Sequence, residues 1–167
     1  INFLNTNKSN IIKITSSSIF DQKYLPSNVS RYKDITKYFI TKNELNSWIC
    51  FDFIGHHVIP TNYQIRSYNG INSEHPRSWV IEGSNDNIEW ENLDSQNNCS
   101  ILKGSNCSHI FDINLPYSDS KGFRYIRFLQ TNKNWRNDYI SKYMVYLYNN
   151  NKLHFYKMNL NISLSLN

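Results

Sequence analysis

The stretch 46–90 constrains this chain more than any other. It reads N-S-W-I-C-F-D-F-I-G-H-H-V-I-P-T-N-Y-Q-I-R-S, then a polar loop, then H-P-R-S-W-V-I-E-G-S-N-D-N-I-E-W. Trp48, Cys50 and 51–53 form the short apolar run of a buried strand. Tyr63, Ile65 and Ser67 alternate with Gln64 and Arg66, the period-2 pattern of a half-buried strand. Trp79, Val80 and Ile81 make a third strand, and 82–86, E-G-S-N-D, reads as a turn, since Gly, Asn and Asp tolerate tight reversals. Three closely spaced strands with aromatic anchors and no helical period between them predict an antiparallel sheet.

The rest of the chain extends the pattern. Strands are expected at 11–15, 38–41, 109–113, 123–129 and 139–148, with polar connections at 94–100 and 131–138. A short helical turn is expected within 28–37. With Gly at 5 and Pro at 4 among 167 residues, turns must be built mostly from Asn, Asp and Ser. The expected organisation is an N-terminal arm at 1–10, one domain at 11–150, and an extension at 151–167. In that extension Leu160, Ile162, Leu164 and Leu166 alternate with polar residues as an extra strand would. The first residue is not Met, as expected of a fragment or a processed piece.

Several function classes are disfavoured. No G-x-S-x-G elbow, P-loop, H-E-x-x-H or C-x-x-C occurs, so an enzyme is not expected. His56-His57 are neighbours on the chain and reach one metal only through a bend, so they read as a structural turn, and no cofactor is expected. The net charge is +5, but its cations are scattered rather than clustered, which disfavours nucleic acid. No run approaches the ~20 apolar residues of a membrane helix. The three cysteines, Cys50, Cys99 and Cys107, make no disulfide framework, although a Cys99–Cys107 bridge stays open. This usage points to an intracellular, reducing location.

The motifs N-S-W-I-C-F-D-F, I-P-T-N-Y-Q-I-R-S, H-P-R-S-W-V-I-E-G-S-N-D-N-I-E-W and F-R-Y-I-R-F-L-Q-T resemble the F5/8 type C, or discoidin-like, family, over about 14–148. Within it the chain is most similar to the intracellular branch found beside interaction domains. The resemblance implies an all-β, galactose-binding-like jelly-roll sandwich of about eight antiparallel strands. It also implies binding through loops gathered at one end. The matching segments are 20–25, 30–37, 68–77 and 131–138, and the candidate contact residues are Tyr24, Arg31, Tyr32, Asp34, Glu74, His75, Trp135 and Arg136. Trp135 stands out as a lone indole in a polar loop beside Arg136.

The sugar-binding relatives use an Asp-rich loop for calcium. Here 30–34 holds one carboxylate and two cations, a poor calcium site. Membrane-binding relatives carry paired apolar spikes, which Asp21, Gln22 and Lys23 interrupt. The expected function is therefore a protein-interaction module of a larger ubiquitin-ligase, ciliary or cytoskeletal assembly. Two alternatives stay open: a carbohydrate-binding module, and a structural protein on an acidic surface such as tubulin.

Overall fold

In the computed structural model of the chain, residues 12–30, 36–69, 74–114, 122–140, 142–149 and 152–153 are described. For Ser30, 142–149 and 152–153 this is the backbone path alone. They form two antiparallel sheets. The strands are β1 (Lys13–Ser16), β2 (Phe39–Ile40), β3 (Trp48–Asp52), β4 (Asn62–Ser67), β5 (Trp79–Ser84), β6 (Glu91–Gln96), β7 (Ser108–Asp112), β8 (Tyr125–Gln130), β9 (Lys142–Asn149) and β10 (Lys152–Leu153). One sheet runs β1-β3-β8-β5-β6; the other runs β10-β9-β4-β7, with β2 also paired to β9. A 3-10 helix at Pro26–Ser30 supplies the helical turn, two residues earlier than the sequence places it.

The core lies between the sheets, and the alternation explains why. Ile49 and Phe51 of β3, Ile126 and Phe128 of β8, and Trp79 and Ile81 of β5 bury one face of the first sheet. Tyr63 and Ile65 of β4 and Phe111 of β7 bury the facing side of the second. Trp79 stacks on Phe128 with centroids 5.8 Å apart and meets Phe111 edge-on at 5.4 Å. Its indole N–H donates to the Tyr63 hydroxyl (2.9 Å), which in turn donates to the Asp94 carboxylate. Every polar atom that the two aromatics bring inside is thereby paired. Burial first, then the Asp94 contact, holds the Tyr63 phenol above its ordinary pKa.

The solvent-facing rows of the first sheet carry charge. Arg124 binds Asp52 through two bonds of 2.8 and 3.2 Å. Arg127 binds Glu82 at 2.7 Å and lies 3.9 Å from the centroid of the Trp90 ring. Three motifs of the sequence thus lock to one another across β3, β5 and β8.

The expected sandwich of about eight strands is present among the described residues as eight strands of four to eight residues, with the two-residue β2 and β10 besides. The structure corrects three expectations. The strands at 48–53, 62–67 and 79–81 do not form one sheet: β3 and β5 flank β8, while β4 belongs to the opposite layer. Residues 91–96 form β6, where a polar connection was expected from Asp94 onward. And β5 continues through Ser84, so the turn begins at Asn85, three residues later than Glu82.

Gly83 explains the last shift. It is a packing glycine: a Cβ there would lie 2.6 Å from the Phe123 ring. Phe123 is pinned to Val58 by paired backbone bonds of 2.8 and 2.9 Å, so the ring has little freedom to retreat. Gly83→Ala is expected to cost about 1–3 kcal/mol in urea unfolding, as an overpacked core does. The turn itself is built by Ser84 and Asp86. The Asp86 carboxylate accepts from the Ile88 and Glu89 N–H groups at 2.8 and 2.9 Å, which holds its pKa low. Elsewhere, Asn46, Asn87, Asn98, Asn106 and Asn137 take the left-handed conformation, as the scarcity of Gly predicts.

Cys50, Cys99 and Cys107 are free thiols, so the Cys99–Cys107 bridge is not formed. Burial pushes the Cys50 thiol up to about 12. Because the folded value exceeds the ordinary 9.0, the associated stability is complete below about pH 9 and is lost as pH rises toward 12. At pH 8 a maleimide is expected to label Cys107, which is partly exposed, and to reach buried Cys50 and Cys99 only after unfolding. Mass spectrometry of the labelled peptides reads this directly.

Candidate functional site at the loop end

Strand direction and register gather five connections at one pole: 17–38, 41–47, 68–78, 97–107 and 131–141. The arm at 1–10, the alternating tail at 160–166, and Arg31, Tyr32 and Asp34 lie outside the described residues.

Asn134 shapes the 131–141 connection. It is fully buried. Its side-chain amide donates to Asp138 Oδ1 (2.6 Å) and to the Ile140 carbonyl (2.7 Å). Its Oδ1 accepts from the N–H groups of Arg136 (2.9 Å) and Asp138 (3.2 Å). One side chain thus closes the loop on itself and fixes the neighbouring Trp135 and Arg136.

Arg136, with 56% of its side chain exposed, donates to Glu74 Oε1 at 2.6 Å. Glu74 and His75 are 4% and 1% exposed. Glu74 therefore serves the rim by anchoring Arg136, and His75 is buried next to it in the chain. Trp135 is half-buried. The Arg77 guanidinium lies 5.5 Å from its ring centroid and the Lys103 ammonium 4.7 Å. Three connections, 68–78, 97–107 and 131–141, meet at this indole.

A second cluster was not assembled from the sequence. Tyr24 stacks on Tyr38 at 5.1 Å, Tyr38 meets Tyr68 at 4.3 Å, and Phe20 lies 6.3 Å from Tyr24. Burial, followed by hydrogen bonds with Tyr68 and Tyr24, keeps the Tyr38 phenol well above its ordinary pKa. Phe20 and Leu45 are 55% and 59% exposed. Tyr24 was a sequence candidate; Tyr38 read as a strand residue and Tyr68 as loop. The signal available was their shared placement just before a strand and just after one.

The two clusters share a frame. The Asn106 N–H donates to the Tyr68 carbonyl, and the Cys99 N–H donates to the Arg77 carbonyl. The connection that carries Lys103 to Trp135 therefore also braces the tyrosines. Elsewhere, His56 and His57 are exposed beside Gly55, whose φ is 72°, in the turn the sequence predicts. Among the described residues, no three His, Cys, Asp or Glu side chains come together as metal ligands.

This architecture is the galactose-binding-like jelly-roll fold, shared with several solved modules. CpGH89CBM32-5 from Clostridium perfringens, solved with GalNAc-beta-1,3-galactose, aligns over 84% of this chain and 96% of its own, with a TM-score of 0.65 at 10% identity. The CBM32 of AlyQ, solved with 4,5-unsaturated mannuronic acid, aligns over 83% and 95%, with a TM-score of 0.63 at 18% identity. Chitosan-binding module 2 from a Paenibacillus sp. IK-5 chitosanase/glucanase, solved with chitotriose, aligns over 83% and 97%, with a TM-score of 0.62 at 11% identity. At these identities the likeness is one of fold. In sequence, the chain is 30% identical over 94 residues to E3 ubiquitin-protein ligase Ufd4 of Drosophila melanogaster, a match covering 56% of this chain and 3% of that protein. No family profile matches the sequence.

Proposed function

We propose that this domain is a non-catalytic protein-interaction module of a larger intracellular assembly, holding its partner at the loop end. The observation that carries the reading is the aromatic rim. Phe20, Tyr24, Tyr38 and Tyr68 form one cluster, with Trp135 and Arg136 on the same frame. Tyr, Trp and Arg dominate the binding energy of protein interfaces when held rigidly. Three unbridged cysteines fit a reducing compartment, and the similarity to a short part of Ufd4 fits a ubiquitin-ligase setting.

The test is affinity capture from the source cell with quantitative mass spectrometry. A Tyr24→Ala/Arg136→Ala variant is expected to lose the captured partner by at least tenfold. Ile88→Asp, at an exposed position on the opposite pole, is expected to leave it unchanged.

A carbohydrate-binding reading is favoured by the fold of the three solved modules, each in complex with a sugar or short oligosaccharide. The arrangement of Trp135 weighs against the simplest form of it, because its ring is already engaged by Arg77 and Lys103. Calorimetry against N-acetylgalactosamine and chitotriose, with and without calcium, separates the two readings. A module on an acidic filament surface rests on net charge alone, and predicts binding that collapses with salt.

A further inference from the structure

We infer that Arg77, Lys103 and Trp135 form an oxyanion-binding site, which receives a carboxylate or phosphate group of the partner. This rests on the interaction-module reading and names what the partner must present. Four observations converge. First, the Trp135 indole N–H and the Arg77 Nε–H are both shielded from water, and neither has an acceptor. Second, the two cations at the indole, Arg77 and Lys103, make no ion pair with any carboxylate among the described residues. Third, the nearby carboxylates pair with Arg136 rather than with Arg77 or Lys103: Glu74 through Oε1, and Asp138, which also accepts from Asn134. Fourth, cations outnumber carboxylates seven to four among the described residues of the five connections.

Within the Arg77, Lys103 and Trp135 set, both shielded groups without a partner are donors, and the two charges at the ring are positive. A neutral sugar hydroxyl would supply an acceptor but leave the charge uncompensated. An oxyanion supplies both, through charge-assisted bonds. Arg77, half-buried, offers a planar fork of donors. Lys103 is exposed and brings its ammonium to the same ring from solvent.

The test follows the indole N–H signals in nitrogen–proton correlation spectra while sodium phosphate, sulfate or acetate is titrated. Ionic strength is held constant with chloride. Trp135→Phe assigns the resonance. The expected result is a saturable shift of the Trp135 signal at millimolar anion, with Trp48, Trp79 and Trp90 unmoved. Lys103→Gln is expected to raise the half-saturation concentration about tenfold. Lys13→Gln, at the opposite pole, is expected to leave it unchanged. Both lysines are exposed, so neither change threatens the fold. Tighter binding of acetate than of phosphate assigns the group to a carboxylate, and the reverse to a phosphorylated side chain. A shift that never saturates, one shared by all four indoles, or one indifferent to Lys103→Gln overturns the site. That outcome leaves the capture experiment with Tyr24 and Arg136 standing, so the two proposals fail separately.

Discussion

Replacing Trp79 with alanine is expected to lower the unfolding free energy by about 3–5 kcal/mol, read from the urea midpoint at unchanged slope. The side chain is fully buried and bridges the two layers, stacking on Phe128 of β8 and meeting Phe111 of β7. Its removal leaves a cavity between sheets that cannot close up, and strips the Tyr63 hydroxyl of a donor. A domain of this size has about 5–15 kcal/mol in all, so much of its margin disappears. Tyr63→Phe isolates the polar part. It keeps the ring against Phe111 and leaves the Trp79 N–H without an acceptor, at a cost of about 1–3 kcal/mol.

The second large effect is expected at Asn134. Asn134→Ala removes four hydrogen bonds that hold one loop, so its effect is local before it is global. Amides in the 131–140 segment are expected to exchange faster by one to two orders of magnitude, roughly what the loss of 1–3 kcal/mol of local stability gives. Partner capture is expected to fall at least as far as with Arg136→Ala, because both Trp135 and Arg136 lose their placement. Asn134→Asp distinguishes geometry from mere polarity. It keeps the acceptor but loses both donors, and sets a carboxylate against Asp138 across 2.6 Å. It is therefore expected to be no better than alanine.

These two residues also mark what the sequence discloses. Trp79 lies in a run whose apolar residues alternate, so its burial is legible from period and composition. The same holds for 62–67 and for the run at 123–129. β6 is not legible in this way. As an edge strand it turns only Leu93 toward the core, so E-N-L-D-S-Q carries no alternating apolar signal. Gly83 misleads for a different reason. In sequence a glycine next to Ser-Asn-Asp reads as part of a turn, while its cause is the ring of Phe123, far along the chain.

The rim divides along the same line. Trp135 and Arg136 are visible because an indole is conspicuous among polar neighbours. Arg77, Lys103, Tyr38 and Tyr68 acquire their roles only when strand order brings separate connections to one pole. Glu74 and His75 were read as contact residues, yet the fold buries them, and Glu74 holds Arg136 from within. No local pattern reports such placement, since it depends on pairings made far along the chain.

The central claim is that the loop end of this sandwich holds a protein partner. Its most direct test compares capture by the wild-type chain, the Tyr24→Ala/Arg136→Ala variant and Ile88→Asp, after matched urea curves establish that all three are folded. The account predicts one partner retained by the wild type and by Ile88→Asp and lost from the rim variant. Equal capture by all three, or saturable sugar binding that the rim variant alone loses, would contradict it.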